Sequence, residues 1–336
     1  MLIEDMFSFK PADTLFFRGS EPMVMGESHS SNYNFPPPVH TIEGAVRTLL
    51  FFKDKSKYAD LIMAGKKKAG FSTIGPLFYV NGEVFVPAPY SWYKEISKKS
   101  KQKKEETNIQ KRNFTNDLKE SKKTKIFKLN PLKDAADLIK AKTEKIYWAK
   151  ADNDEIETIG GSWINLNSIG SSSDELDVFA IDQFFNIEPH TGIALKEDRN
   201  VRRSHIYTFT HARLLEDVEI VFGTDKALPI DDGEILTLGA EQRFGYLKRL
   251  KNFENINEKL NSINNNSGFY MSLSIIEGGR NTEANNHIVA TGRIQYLGGW
   301  DLHKKFHKDI IGYYPAGTVF SFSEKFCNGL NGLISI

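Results

Sequence analysis

Apolar positions along this chain follow two different periods, and the changes between them mark out the elements. Between Ile42 and Phe52 the spacing is helical, with Ile42, Val46, Leu49 and Leu50 on one stripe and Glu43 and Arg47 four apart on another. A helix is predicted there, led in by Pro36-Pro37-Pro38, whose fixed φ and missing amide donors end whatever precedes them. Thr41 is the expected cap. Upstream, Thr14 to Phe17 reads as a strand, followed by a turn at Arg18-Gly19-Ser20 and a polar loop to Phe35. Downstream, Leu77-Phe-Tyr-Val-Asn-Gly-Glu-Val-Phe-Val86 carries two β-rich arms around Asn81-Gly82, the pair that favours a tight hairpin turn because both residues tolerate positive φ.

From about Ala151 onward β-branched and aromatic segments dominate, at Ile206 to Thr210, Val218 to Phe222, Phe269 to Ile276 and Val319 to Phe322. Glycine-bearing turns separate them, and Asn252 to Ser267 reads as a short helix running into a polar loop. No repeat of fixed period is visible. The pattern is α+β with strands outnumbering helices. At 336 residues two domains are expected, divided near residue 150 into 1–150 and 151–336. Residues 94–128 interrupt the first with a local charge of +8, from twelve Lys and Arg112 against five carboxylates. Such a block repels itself, so the expectation is a solvated loop inserted in the first domain; the sharper reading is an arm for phosphate backbones.

Over the whole chain the net charge is only +1, which excludes a general polycation, and 40% hydrophobic residues with 24 Phe are enough for a substantial core. The lone Cys327 allows no internal disulfide and no paired-cysteine zinc site. Glu4 and Asp5 stand where a signal peptide needs positive charge, and no apolar run is long enough to span a bilayer, so a cytoplasmic protein without membrane contact is expected.

Catalytic constellations are sparse. The sequence lacks a phosphate-binding GxxxxGK[ST] loop, a GxGxxG fingerprint, HExxH and GxSxG. His303 and His307 have the spacing of two metal ligands on a helix, with only Asp301 and Asp309 nearby, and read as a solvated basic turn. No metal, cofactor or small-molecule substrate is expected. What remains is a set of cationic or aromatic residues beside glycines, where a backbone can approach a ligand: Arg18-Gly19, His40 to Arg47, Gly239 to Arg243, and Leu297-Gly-Gly-Trp-Asp301. Together these suit single-stranded RNA, whose phosphates take Arg, Lys and helix N-termini and whose bases stack on aromatics.

The order of these blocks resembles a known family. Asp13-Thr-Leu-Phe-Phe-Arg-Gly-Ser-Glu-Pro22, Gly26-Glu27 and Phe35-Pro-Pro-Pro-Val-His-Thr-Ile-Glu-Gly-Ala-Val-Arg-Thr-Leu-Leu50 resemble the N-terminal signature of a RAMP-superfamily subunit of the type III-B (Cmr) CRISPR effector complex, the one that caps the 5′ end of the guide RNA. Glu188-Pro-His-Thr-Gly-Ile193, Leu238-Gly-Ala-Glu-Gln-Arg243, and Gly298-Gly-Trp-Asp-Leu302 with Val319-Phe320 are similar to its later blocks. His190 stands where the family more often has arginine, and Ala240 where it has glycine.

The resemblance implies two ferredoxin-like (RRM-like) domains, the second degenerate, with inserted loops and a β-hairpin. It implies a non-catalytic subunit that grips the repeat-derived 5′ tag of crRNA and bridges the large polymerase-type subunit to the first backbone RAMP subunit. The RNA contacts expected on that basis are Arg18, His40, Thr41, Arg47, Gln242, Arg243, Gly298, Gly299 and Trp300. The alternatives are a metal-independent RAMP endoribonuclease with His29 or His40 as general base, and a protein-only scaffold using exposed aromatics around Tyr90-Ser-Trp-Tyr93.

Overall fold

A computed structural model of the chain describes residues 3–17, 30–31, 34–62, 70–96, 113–131, 147–149, 155–251, 253, 268–278, 285–301, 306–321 and 332–336. The first strand is β1 (Asp5–Pro11), not Thr14 to Phe17, which makes a single bridge from Leu15 to Ala212. Asp5 to Phe9 are buried on both faces, so the alternation that marks a half-exposed strand is absent from this one. Asp5, a buried carboxylate, is held by the Arg249 guanidinium and accepts from the Leu228 amide at 2.6 Å. Arg249 also donates to the Leu228 and Ile230 carbonyls, tying the strand that follows to the loop before it.

Helix α1 (Val39–Asp54) buries Ile42, Val46 and Leu50, the stripe its spacing predicts, and a short helix α2 (Ala59–Ile62) follows. Its first-turn cap position belongs to Pro38, and no side chain caps it. Thr41 lies inside the helix and its amide bonds the Pro38 carbonyl, which corrects the expected cap by three residues. At the other end Lys53 pairs with Asp231 and Glu234, where a cation meets the negative end of the helix dipole. The hairpin of β2 (Thr73–Val80) and β3 (Glu83–Pro87) turns through Asn81 at φ 48° and Gly82 at φ 93°, the two left-handed residues a tight hairpin requires.

Beyond the hairpin come α3 (Phe114–Glu120), β4 (Trp163–Asn165), a long ribbon of β5 (Phe185–Leu195) and β6 (Val201–Leu214), and then β7 (Val218–Thr224), β8 (Ile235–Thr237) and β9 (Phe244–Arg249). Seven strands form one antiparallel sheet in the order β4-β3-β2-β7-β1-β9-β8. Strands from either side of residue 150 therefore share hydrogen bonds, with β7 between β1 and β2. A four-stranded sheet near the C-terminus, β10 (Phe269–Ser272), β11 (Ile288–Ala290), β12 (Val319–Ser321) and β13 (Leu333–Ser335), runs β11-β12-β10-β13. Its Met271, Leu273, Val319 and Ile334 belong to the same buried cluster as the large sheet. The result is a mixed fold of mostly antiparallel strands with few helices.

The core is aromatic. Phe184 stacks on Phe78 (4.3 Å between centroids) and on Phe114 (4.4 Å), with Phe85, Phe179 and Trp163 around it. Phe114 lies in the lysine-rich block, of which residues 97–112 are outside the described residues. From Asn113 onward that block packs rather than floating: the Asn113 side chain caps α3, and Asp217 accepts from the Phe114 and Thr115 amides. Burial of the Phe114 ring contributes roughly 1.5–3 kcal/mol to that packing. The predicted helix over 252–267 lies outside the described residues apart from Phe253.

Candidate nucleic-acid interface

Two centres gather polar side chains from distant segments. The first sits at the base of the β5–β6 ribbon. On β6, successive same-face positions carry Phe209, His211 and Arg213; the opposite strand supplies Glu188 and His190. Phe16 stacks on His211 (5.1 Å, 10°), and His211 stacks on His190 (4.0 Å, 3°), making a three-ring pile. His190 Nε2 donates to Glu188 Oε1 at 2.8 Å, and Arg213 donates to both Glu188 oxygens and to Asp13. Arg243 reaches the same carboxylate, Asp13, at 2.8 Å, and Glu241 at 3.3 Å.

The turn carrying Glu241 and Gln242 holds both in left-handed backbone at φ 56° and 55°. Gly239 precedes them at φ 100°, where a Cβ would lie 2.7 Å from the Phe16 carbonyl oxygen, so only glycine lets the turn rest on this segment. Hydrogen bonds from Arg213, assisted by His190, hold the Glu188 carboxyl down to about 2. His211 is wholly buried, with Nδ1 2.9 Å from the Thr14 hydroxyl and Nε2 3.6 Å from Glu241. Desolvation lowers its pKa, and the neighbouring His190 and Arg243 add to the effect. Its Nε2 and Arg243 Nε are buried without a hydrogen-bond partner among the described residues. Three carboxylates thus neutralise two guanidinium groups, and the chemistry of this centre is that of a clamp fixing the ribbon to the segment that follows β1 and to the turn before β9.

The second centre lies at the start of α1. His40 stacks on Tyr313 (5.6 Å, 28°), a residue of the strand Ile311–Tyr314. His40 keeps contact with solvent, while partial desolvation and the nearby Lys308 lower its pKa. Lys308 donates its amide to the Gly299 carbonyl, and a Cβ on Gly299 would come 3.5 Å from the lysine side chain. The Gly298-Gly-Trp300 segment, with Trp300 on a two-residue strand, is thereby brought beside the N-terminal signature. A cation, a stacked aromatic pair and uncapped helix amides can hold a nucleotide backbone and a base.

The residues named from sequence are therefore divided. His40, Gly298, Gly299 and the backbone of Trp300 share the second centre, and Arg243 and Gln242 belong to the first, with Arg243 ion-paired. Arg47 faces neither: its Nε donates to the Ile62 carbonyl at 2.9 Å, tying α1 to α2. Arg18, His29 and His303 lie outside the described residues, and His307 sits on the strand Phe306–His307 rather than on a helix. The aromatics expected to be exposed near residue 90 are not. Trp92 is buried and Tyr90 is enclosed by glycine backbone, because the segment pairs into sheets on both sides. Sequence reasoning overlooked His211, Arg213, Asp13, Tyr313 and Lys308. The alternation Phe209, His211, Arg213 was a readable sign that polar residues face the same way as a core ring.

Among the described residues no helix is long and apolar enough to cross a membrane. The sequence profile of the family described as CRISPR-associated protein (Cas_Cmr3) matches residues 7–326. No curated protein matches the chain. Among solved structures, it is similar to a chain from a cryo-EM structure of the Type III-B Cmr-beta bound to cognate target RNA, at 16% identity over 97% of this chain and 90% of that one, with a TM-score of 0.52. A chain from the Type III-B Cmr-beta bound to cognate target RNA and AMPPnP, state 1, is similar at 15% identity over 94% and 86%, with a TM-score of 0.51. At these identities the likeness is one of fold.

Proposed function

This chain belongs to the CRISPR-associated Cmr3 family, and on that premise we propose that it is a non-catalytic RNA-binding subunit of a type III-B effector complex in the cytoplasm. It grips the repeat-derived 5′ tag of crRNA and joins the large polymerase-type subunit to the backbone subunits, serving antiviral defence. Its scaffold is read as two ferredoxin-like domains, the second degenerate. The observation that carries the RNA reading is the second centre, where His40, Tyr313, Lys308 and the Gly298–Trp300 backbone meet at the uncapped start of a 16-residue helix. The origin of the similar chains in complexes with target RNA supports the same reading.

The test is binding of labelled crRNA with an intact or scrambled 5′ tag at two salt concentrations. The intact tag should bind more tightly, and affinity should fall steeply as salt rises. Lys308→Ala, which deletes one phosphate-seeking cation, should reduce the slope of log affinity against log salt by about 0.7. Equal affinity for both RNAs, or none, would refute tag capping by this chain, and cleavage of repeat RNA in EDTA would refute the non-catalytic reading.

A further inference from the structure

The two faces of the large sheet differ at its β8–β9 end. The row Val221, Ser8, Lys248 crosses three hydrogen-bonded strands on one face; the first two side chains are buried and the third is exposed. Beyond that line, β9 and the edge strand β8 present Phe244 (42% exposed), Tyr246 (48%) and Ile235 (54%), while Leu236 and Leu247 on the opposite face are buried. We propose that this open end is a stacking platform for single-stranded RNA, on which crRNA lays nucleotides that lie outside its 5′ tag. The proposal goes beyond the tag-binding reading and rests on it for the identity of the strand.

Register fixes what shares the platform. Tyr246 lies opposite both Lys10 on β1 and Ile235 on β8, Phe244 lies opposite Thr237, and Lys248 follows Tyr246 two positions on. Paired residues of neighbouring strands point to the same face. This face therefore holds two aromatic rings, an aliphatic side chain, a hydroxyl and two lysines, with no carboxylate among the described positions of β1, β8 and β9. Lys10 donates to the Glu216 carbonyl at 3.2 Å and keeps its charge. The two rings stand 6.2 Å apart at 84°, so one flat ligand cannot stack on both and each can take its own. Gly245 lies between them, and a Cβ there would come within 2.4 Å of the Lys10 carbonyl oxygen. β9 is thus pressed against β1, and a platform fixed before binding loses little ordering entropy when occupied.

This composition selects the occupant. Rings interleaved with lysines match a single strand, whose bases stack on the rings while its phosphates meet the ammonium groups, without reading sequence. A duplex does not fit, because its bases are stacked on one another and closed to a protein ring. A protein partner is the poorer match: lysine is depleted from protein interfaces, and here Lys10 stands directly opposite the central ring, Tyr246. A second contact on a strand already held elsewhere also gains by linkage, since the tethered nucleotides are present at high effective concentration. None of the platform side chains belongs to either centre described above.

The experiment uses the full chain and crRNA carrying 4-thiouridine at one position at a time, within the 5′ tag and beyond it, with photo-cross-linking, peptide mapping and affinity measurement. The expected result is a cross-link from a nucleotide outside the tag to the peptide that holds Phe244, Tyr246 and Lys248. Tyr246→Leu keeps apolar bulk and removes the ring; it should weaken binding about tenfold, as for one lost stacked base, and by the same factor when the tag is scrambled. Tyr246→Trp keeps a ring and should bind as wild type does, and Lys248→Ala should reduce the slope of log affinity against log salt by about 0.7. A cross-link to this peptide from tag nucleotides alone refutes the platform and leaves the tag reading standing. Salt-dependent binding with no cross-link here and with wild-type affinity in Tyr246→Leu also refutes it; a face covered by a protein would give that result. Failure of every crRNA to bind refutes both readings.

Discussion

Replacing Glu188 with glutamine keeps the shape of the side chain and removes the charge that Arg213 and His190 share. The carboxyl stands at about 2 in the folded chain against an ordinary 4.5. That gap of about 2.5 pH units corresponds to at most about 3.4 kcal/mol favouring the ionised form. The side chains of Glu188 and Arg213 are 36% and 44% exposed, so solvent screening reduces the realistic loss to about 1 kcal/mol. Asp13 remains beside Arg213 in the variant and limits the damage further. The sign follows from the lowered pKa: the contribution is present above pH 4.5 and is lost as pH falls toward 2. Urea unfolding followed by tryptophan fluorescence at pH 7, 5, 4 and 3 measures it. Wild type should exceed Glu188→Gln by about 1 kcal/mol at pH 7, and the gap should narrow through pH 4 and 3 on its way to closing near pH 2. A difference that stays constant across this range, or none at pH 7, would refute the clamp.

His211 is buried with a lowered pKa, so the unfolded chain takes up its proton more readily and acid should destabilise the fold as pH drops below about 6.5. In His211→Phe, which keeps the ring pile between Phe16 and His190 and deletes the unpartnered nitrogen, urea titrations between pH 7.5 and 5 should show a shallower loss; an unchanged slope would assign that loss elsewhere. Phe184→Ala empties the centre of the aromatic core and should cost about 3–5 kcal/mol, measured as a fall in urea midpoint. Gly245→Ala places a Cβ 2.4 Å from the Lys10 carbonyl oxygen and 2.7 Å from the Phe9 ring, pushing β9 off β1. A loss of about 1–3 kcal/mol is expected, and wild-type thermal stability would show that the strands have slack.

Where neighbours in sequence are also neighbours in space, the pattern was sufficient. The stripe of α1 follows from a 3.6-residue period, and the hairpin from two residues that accept positive φ; each is decided within about ten positions. The blocks that carry the family resemblance were legible in the same way, as short runs in a fixed order. What they build was not. Asp13, Glu188, His211 and Arg243 meet only because the segment after β1, the ribbon and the turn before β9 are brought together across some 230 residues, and no local period encodes that. The sheet order is equally non-local: β7 separates β1 from β2 because Phe7 and Phe9 need a partner strand on both sides to be buried. Arg243 and Arg47, expected RNA contacts when read along the sequence, are engaged by Asp13 and by the Ile62 carbonyl once the chain closes. Sequence decided which segments could turn, coil or extend, because those choices are made by each residue's own sterics. Tertiary structure alone decided which charges remain free and which rings stay exposed, because both depend on what distant segments bring to the same place.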